Sequence, residues 1–341
     1  MVLFALFIGL PAHAINYTFP GFIPLGCSGS NGIYSCGNLS IGLLDTITVT
    51  LPTTITVNGA FNTSAYSIVN SGKNASFLTF KVVGETNLGV GLLDYFMNAN
   101  ITTSGTPVAV AALEKVNGSI STGAGAVNIG NGSIIGGSIP TTAGIVNIGT
   151  TAQVTGSITT AAGGVNIGNN STAEGLISTD AGVVTIDDSS VVKGTITTRD
   201  AAVNVGTGSQ TGAISITNAG VASVGANSQV LGFIKTVSGA INIGDGSLIN
   251  SCIFSSVAGA TTLGINVIVG AGVFSYRVLV TGTGIKIGGR RRYYGGCAIT
   301  YGANTQVGTT ASSSRCDDLL SVAVKPIRKI KSRQWRQIYM R

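Results

Sequence analysis

Histidine is almost missing from this chain: His13 is the only one among 341 residues. It falls inside an N-terminal stretch that reads as a removable leader, so the mature chain is expected to have none. General acid/base work by imidazole, Ser-His-Asp and Cys-His nucleophiles, and every His-containing metal site are thereby excluded. Charge is scarce too, at 9% of residues, and aromatics make up 6% with a single Trp. An ordinary domain carries about 25% charged residues, and helices need them on their exposed faces. Disorder requires high charge and low hydrophobicity, whereas 44% of this chain is apolar. What is abundant is Gly, at 50 residues. That combination fits a β-rich, turn-rich architecture with an uncharged surface.

The net charge of +7 has a local origin. Lys325, Arg328, Lys329, Lys331, Arg333, Arg336 and Arg341 fall in a C-terminal stretch without Asp or Glu, and the remainder is balanced at 12 basic and 12 acidic residues. The high pI therefore describes a tail, residues 325–341, expected to be a disordered basic terminus or an electrostatic docking arm. It does not describe a nucleic-acid-binding face, and no nucleic acid is expected as partner. Residues 1–14, MVLFALFIGLPAHA, look like a secretory signal peptide. Their apolar run is too short for a bilayer, and Ala12-His13-Ala14 supplies a small-x-small cleavage pattern. The mature chain is expected in the periplasm, at the outer membrane surface or outside the cell. The uncharged run 246–276 is rich in Gly, Thr, Ser and Asn and reads as buried strand, so no membrane span is expected.

Five cysteines in an exported chain suggest disulfides. Cys27 and Cys36 bracket a Gly/Ser-rich loop and are expected to pair. Cys297 and Cys316 form a second candidate pair, which leaves Cys252 as a packed small residue.

The dominant feature is an internal repeat. Val-Asn-Ile-Gly begins at Val127, Val146 and Val165, with variants at Val108, Val184, Val203, Ala222 and Ile241, always 19 residues apart. Its third position is Val110, Ile129, Ile148, Ile167, Ile186, Val205, Val224 and Ile243, all β-branched and suited to a pleated surface. Two residues before the unit stand Gly125, Gly144, Gly163, Gly182, Ala201, Gly220 and Gly239. A second apolar column runs Ile120, Ile139, Ile158, Ile177 and Ile196, slips at Ser215, and resumes at Ile234 and Ile253. A third runs Ile135, Val154, Ala173, Val192, Thr211, Val230 and Ile249. Three short alternating segments in each repeat leave no room for a helix. Each repeat is therefore one coil of a parallel β-helix, an all-β solenoid whose stacked coils share a Val/Ile core. The general crossover preference makes it right-handed. Eight coils at about 4.8 Å give a rod of roughly 40 Å.

Charge supplies a second register. Glu174 and Lys193 are one repeat apart, as are Asp180 and Arg199, so both pairs are expected to stack across the same two coils. The outward column Asn128, Asn147, Asn166, Thr185, Asn204, Ser223 and Asn242 reads as a hydrogen-bonded ladder. Residues 15–107 are expected to form an N-terminal β cap with early coils, and 108–288 the regular solenoid, with intervals loosening to 20 and 24 at Gly264 and Gly288. Residues 289–324 are expected to form a C-terminal cap and loop region. There Arg290, Arg291 and Arg292 beside Tyr293 and Tyr294 offer contacts for an anion or a glycan, or form a solvated loop.

Solenoid enzymes need clustered carboxylates. Asp187-Asp188 is the one adjacent acidic pair in the repeats, but Asp187 falls in the turn column of Gly130, Gly149, Gly168, Gly206, Gly225 and Gly244. Asp tolerates a left-handed backbone there, so a turn role is expected and no enzyme, cofactor or metal. Ice binding is a second reading, since flat faces with ranked Thr order water. The columns Ser121, Pro140, Thr159, Ser178, Thr197 and Ser119, Ser138, Ser157, Leu176, Thr195 lack a regular array.

The opening Ile15–Gly37 (INYTFPGFIPLGCSGSNGIYSCG), Asp45-Thr46-Ile47-Thr48 and Pro52–Gly59, together with the VNIG…GSITT repeats, resemble the N-terminal part of MshQ-like proteins over about residues 15–310. Those are exported bacterial proteins associated with mannose-sensitive haemagglutinin pilus biogenesis. The repeat texture is also similar to that of bactofilin-like polymer-forming solenoids. The resemblance implies a surface scaffold or adhesive stalk whose partners are other surface or pilus proteins, or further copies of itself stacked end to end.

Overall fold

A computed structural model describes residues 14–90, 96–275, 278–288, 298–300 and 302–307. Three parallel sheets of 15, 14 and 14 strands run the length of the molecule, here called A, C and B. Each turn of the chain adds one strand to each sheet, giving a β-solenoid of about 13 coils. One coil runs Val127–Ile129 in sheet C, Ile134–Ile135 in sheet A and Ile139–Thr141 in sheet B. The next coil stacks in register, Val127 on Val146, Asn128 on Asn147 and Ile129 on Ile148.

Such short strands form because alternate residues need opposite environments. Val127 and Ile129 turn inward and are buried, while Asn128 between them is exposed. All eight residues of the column from Val110 to Ile243 are buried and stacked on one another. Ile120, Ile139, Ile158, Ile177 and Ile196 line sheet B, and Ile135, Val154, Ala173, Val192, Thr211, Val230 and Ile249 line sheet A. A single coil shields none of these side chains; burial comes from the coils above and below.

The corners are built differently from the sequence expectation. The left-handed residues are Leu113, Gly132, Thr151, Asn170, Ser189, Gly208, Asn227 and Gly246, with φ between 55° and 70°. That column lies two residues beyond the Gly130–Gly244 column, so Asp187 is not the left-handed residue of its coil; Ser189 is. The Gly125 column answers to close approach instead. A Cβ on Gly144 would overlap the carbonyl oxygen of Gly125, and one on Gly163 that of Gly144.

Two further departures concern register. The slip at Ser215 is a one-residue deletion: Ile196 stacks on Ile214, and Ile214 on Ile234. The corner between Thr211 and Ile214 is shortened, and the loop from Ile216 to Ala222 lengthened, so sheet C keeps its spacing. Beyond Gly244 the expected widening to Gly288 does not occur. Thr261 stacks on Leu279 and Lys286 on Gln306, steps within one position of the regular coil. The solenoid therefore passes residue 288, with Ala298–Thr300 and Gln306–Val307 joining sheets C and A.

The first hundred residues are coils of the same solenoid, but wider ones. Leu39 stacks on Phe61 and Thr53 on Leu78, each a longer step along the chain than the regular repeat takes. A wider cross-section needs larger side chains, and Phe19, Phe61 and Phe80 are fully buried there. Phe61 stacks on Phe80 with centroids 4.4 Å apart, and Phe19 meets Tyr34 edge-on at 4.8 Å. The N-terminal end is made of β1 (Asn16–Phe19), β2 (Cys27–Ser30), β3 (Ile33–Cys36), β4 (Leu39–Ile41) and β5 (Thr46–Val49). β2 folds back antiparallel on β3, placing Cys27 opposite Cys36, and the two form a disulfide.

The inward columns should dominate stability. Ile158→Ala, at a fully buried position, is expected to cost about 2–5 kcal/mol. Thr159→Ala, one residue on and exposed, should stay within about 0.5 kcal/mol. Urea unfolding followed by circular dichroism distinguishes them.

Candidate interaction surface

Polar side chains in this protein point along the rod. Asn147 Nδ2 donates to Asn128 Oδ1 and Asn166 Nδ2 to Asn147 Oδ1, both at 2.8 Å. Gln210 and Gln229 repeat the arrangement on sheet A at 2.8 Å. At the corner after sheet C, Asn131 Oδ1 accepts from the Thr150 amide, Asn169 Oδ1 from Asp188 and Asp188 Oδ1 from Thr207, at 2.9, 3.0 and 2.6 Å. Each such side chain replaces a hydrogen bond that strand pairing does not make at a corner.

Two buried ladders escape the sequence reading. Ser171, Ser190, Ser209, Ser228 and Ser247 recur once per coil at almost no exposure. Each hydroxyl donates to a carbonyl of the preceding coil at 2.7–2.9 Å. From Ser190 onward each also accepts from the serine amide below at 3.1–3.3 Å. Thr122, Thr141, Thr179, Thr198 and Thr236 donate to the carbonyl three residues ahead at 2.5–2.8 Å, as Thr160 does to Gly163. The once-per-coil recurrence of Ser and Thr was the signal for both. Small polar residues read as turn formers concealed it.

Charges gather in neighbouring coils. Lys193 Nζ lies 2.8 Å from Glu174 Oε1, and its hydrogen bond and charge hold the Glu174 carboxyl below its ordinary range. Arg199 reaches Asp180 at 3.7 Å through Nη1, but its nearer partner is Asp200 at 2.8 Å through Nε. The Asp200 hydrogen bond, then the Asp180 charge, raise the Arg199 guanidinium, and Arg199 with Asn218 lowers the Asp200 carboxyl. Asp200 does not stand out by spacing, because its partner Arg199 is its chain neighbour and Asn218 lies 18 residues on, one short of the repeat.

Asp187 and Asp188 border a shallow depression of about 320 Å³, with Asn169, Thr185, Ile186, Asn204, Val205 and Gly206. Asp188 is engaged in the corner ladder, and the Asp187 amide donates to Ile167 O at 2.8 Å. No group of three or more metal-ligating side chains occurs among the described residues. No helix there is long and apolar enough to cross a membrane. The stretch 246–275 consists of strands and turns.

The cysteines require a correction. Cys252, expected to be left over, is buried and disulfide-bonded. Cys297, Cys316, Arg290–Arg292, Tyr293, Tyr294 and the 325–341 tail lie outside the described residues.

What the molecule presents outward is a long face on sheet C. Beside the Asn128 ladder runs a row in which exposed Ile145, Val183 and Val221 alternate with Gly164, Ala202 and Ala240. The row carries no charge and suits contact by shape and amide hydrogen bonding. On sheet B the outward row Thr159, Ser178, Thr197, Ser215 passes to Lys235, and Leu176 interrupts its neighbour, so no uniform Thr array forms. No known protein family, curated protein or solved structure matches the chain.

The ladders and the ion pairs can each be tested by a single substitution. Ser190→Ala strands the Gly168 carbonyl and the Ser171 amide, and should lower unfolding free energy by about 1–3 kcal/mol, more than Asn147→Ala at the surface. For Glu174, a lowered carboxyl contributes stability above its ordinary pKa that is lost as pH falls through the lowered one. The melting-temperature difference between wild type and Glu174→Gln should therefore be present at neutral pH and low salt. It should vanish in acid and be screened by high salt.

Proposed function

We propose that the protein is an exported, non-enzymatic module of the bacterial cell surface, a rigid stalk or scaffold whose long faces engage other surface or pilus proteins. The observation that carries this reading is the direction of its polar groups. Among the described residues, Asn, Ser, Gln and Asp side chains bond chiefly to the coil above or below, along the rod. An enzyme needs the opposite, a few groups aimed at one point in a water-excluding site. A scaffold needs length and stiffness, and about 13 stacked coils give roughly 60 Å of both. The similarity of Ile15–Gly37 and the repeats to MshQ-like proteins supports the same reading, as does the leader-like stretch 1–14.

End-to-end polymerisation, the alternative suggested by bactofilin-like texture, meets an obstacle at the N-terminal end. Sheet B terminates there in the antiparallel, disulfide-clipped hairpin β2–β3, which does not continue the parallel stack. In the loop between β1 and β2, Phe22 stacks on Tyr17 and Leu25 is fully exposed. Edge strands blunted in this way resist templating another chain.

Negative-stain electron microscopy of residues 15–341 across a concentration series tests the proposal. Discrete rods of constant length at every concentration are expected. Filaments that lengthen with concentration would replace the stalk reading with polymerisation.

A further inference from the structure

The N-terminal edge contains a buried carboxylate whose partners are unusual for an acid at the end of a rod. Asp45 is 6% exposed, and its two oxygens are held by two backbone nitrogens. Oδ2 accepts from the Gly42 amide and Oδ1 from the nitrogen of Ile15, each at 2.8 Å. The ion pairs of the described residues do not include it. A buried carboxylate without a cation is expensive, and the titratable group facing it, the Tyr17 phenol, is raised first by burial and then by the Asp45 charge. The location matters as much as the burial. Ile15 lies one residue before β1, its carbonyl accepts from the Thr46 amide at 2.8 Å, and Asn16 begins the pairing of β1 with β5. The bond on the other side of the Ile15 nitrogen, to exposed Ala14, is where the small-x-small pattern Ala12-His13-Ala14 directs cleavage.

We propose that leader removal at Ala14–Ile15 creates a structural ion pair: the released α-ammonium of Ile15 docks on the buried carboxylate of Asp45 and locks the first coil. Water is the co-substrate and a signal peptidase the catalyst. The Ala14–Ile15 C–N bond breaks, the Ala14 carbonyl carbon gains the water oxygen as a carboxylate, and the Ile15 nitrogen becomes an ammonium. The nitrogen already sits in place before the cut, so processing changes its charge without moving it. One neutral donor becomes a cation with three, of which one stays on Oδ1 and the rest face solvent, because Ile15 is 38% exposed. A charge-assisted bond replaces a neutral one at the strand that closes sheet A. Maturation thus couples export to completion of the rod's end, which remains looser while the leader is attached. This rests on the export reading above.

The test has two independent parts. Intact-mass analysis of the full chain recovered after export should find a mature protein beginning at Ile15; a start at any other residue, or an intact leader on cytoplasmic protein, overturns the processing step. Separately, purified chains beginning at Ile15 and at Ala14 are compared by hydrogen–deuterium exchange over residues 15–19 and 39–46. The longer chain keeps the neutral Ile15 hydrogen bond and displaces the charge. Exchange in the Ile15 chain should be slower by about tenfold, the equivalent of one charge-assisted hydrogen bond, and the ratio should fall to one in the Asp45→Asn background. The pair raises the ammonium pKa above its ordinary value of about 8, so the ratio should hold below that value and decay as pH rises through the raised one. Equal protection of the two chains overturns the ion pair even where export and cleavage proceed as proposed, and cytoplasmic retention overturns export while the purified chains still report on the pair.

Discussion

Because each coil hydrogen-bonds to the next through parallel strands in register, every side chain sits about 4.8 Å from its counterpart in the adjacent coil. That spacing decides what each column tolerates. Inward, it favours Val and Ile, which stack as shape copies without leaving voids, as the column from Val110 to Ile243 does. At the tightest corner it excludes a Cβ, as between Gly144 and Gly125. Outward, it lets an amide bond to its own replica, as Asn166, Asn147 and Asn128 do. Repetition of charge is the one thing it penalises, since like charges would stack directly. The body of the chain is nearly uncharged, and where Glu174 and Asp180 occur the next coil supplies Lys193 and Arg199.

The same constraint explains why coil length and core composition change together. The regular coils enclose a narrow interior that aliphatic side chains and hydroxyl ladders fill. The longer coils of the N-terminal part enclose more, and Phe61, Phe80, Leu78 and Met97 appear there. Some of the extra residues lengthen strands, as in Thr53–Val57 and Leu78–Val82, and others sit in corners, including the short 3₁₀ turn Ala75–Phe77 capped by Asn74. Thr211–Ile214 shows the converse: one residue is deleted at one corner and restored at the next, and the sheets on either side stay in step.

Much of the fold was legible because inward columns are chemically uniform. Val-Asn-Ile at a fixed interval states both the strand and its register, and the Ile120 and Ile135 columns state the other two faces. Legibility failed where a column was defined by backbone and not by side-chain type. The left-handed position accepts Leu113, Thr151, Asn170 and Ser189 alike, so the eye settles on the more uniform Gly column two residues earlier. The serine ladder was uniform but unremarked, since Ser is common in turns and its burial becomes visible only when carbonyls of the preceding coil are placed around it. Asp45 could not be read at all: its partners, Ile15 and Gly42, are main-chain nitrogens, one of them more than a coil away along the chain. The disulfide state of Cys252 was likewise hidden, because its apolar column reads as packing and gives no sign of a bonded thiol.

A rod built by repetition needs other chemistry where repetition stops, as at the N-terminal end of the described residues. In the middle coils most polar columns repeat similar side chains from coil to coil, the ion pairs of Glu174 and Arg199 being the departures. At the N-terminal end the first coil has a partner on one side only. The sequence departs from the repeat accordingly: aromatic core residues, a disulfide-clipped hairpin, and a buried acid holding two backbone nitrogens. Fraying in a stacked array begins at its ends, so stabilising groups are worth most where a missing neighbour must be replaced. The long face on sheet C faces the opposite demand. Its alternation of Ile145, Val183 and Val221 with small residues breaks the identity of successive coils every second step, which stacking does not require. Because these side chains face solvent, the alternation leaves the stacking of the buried columns beneath it unchanged.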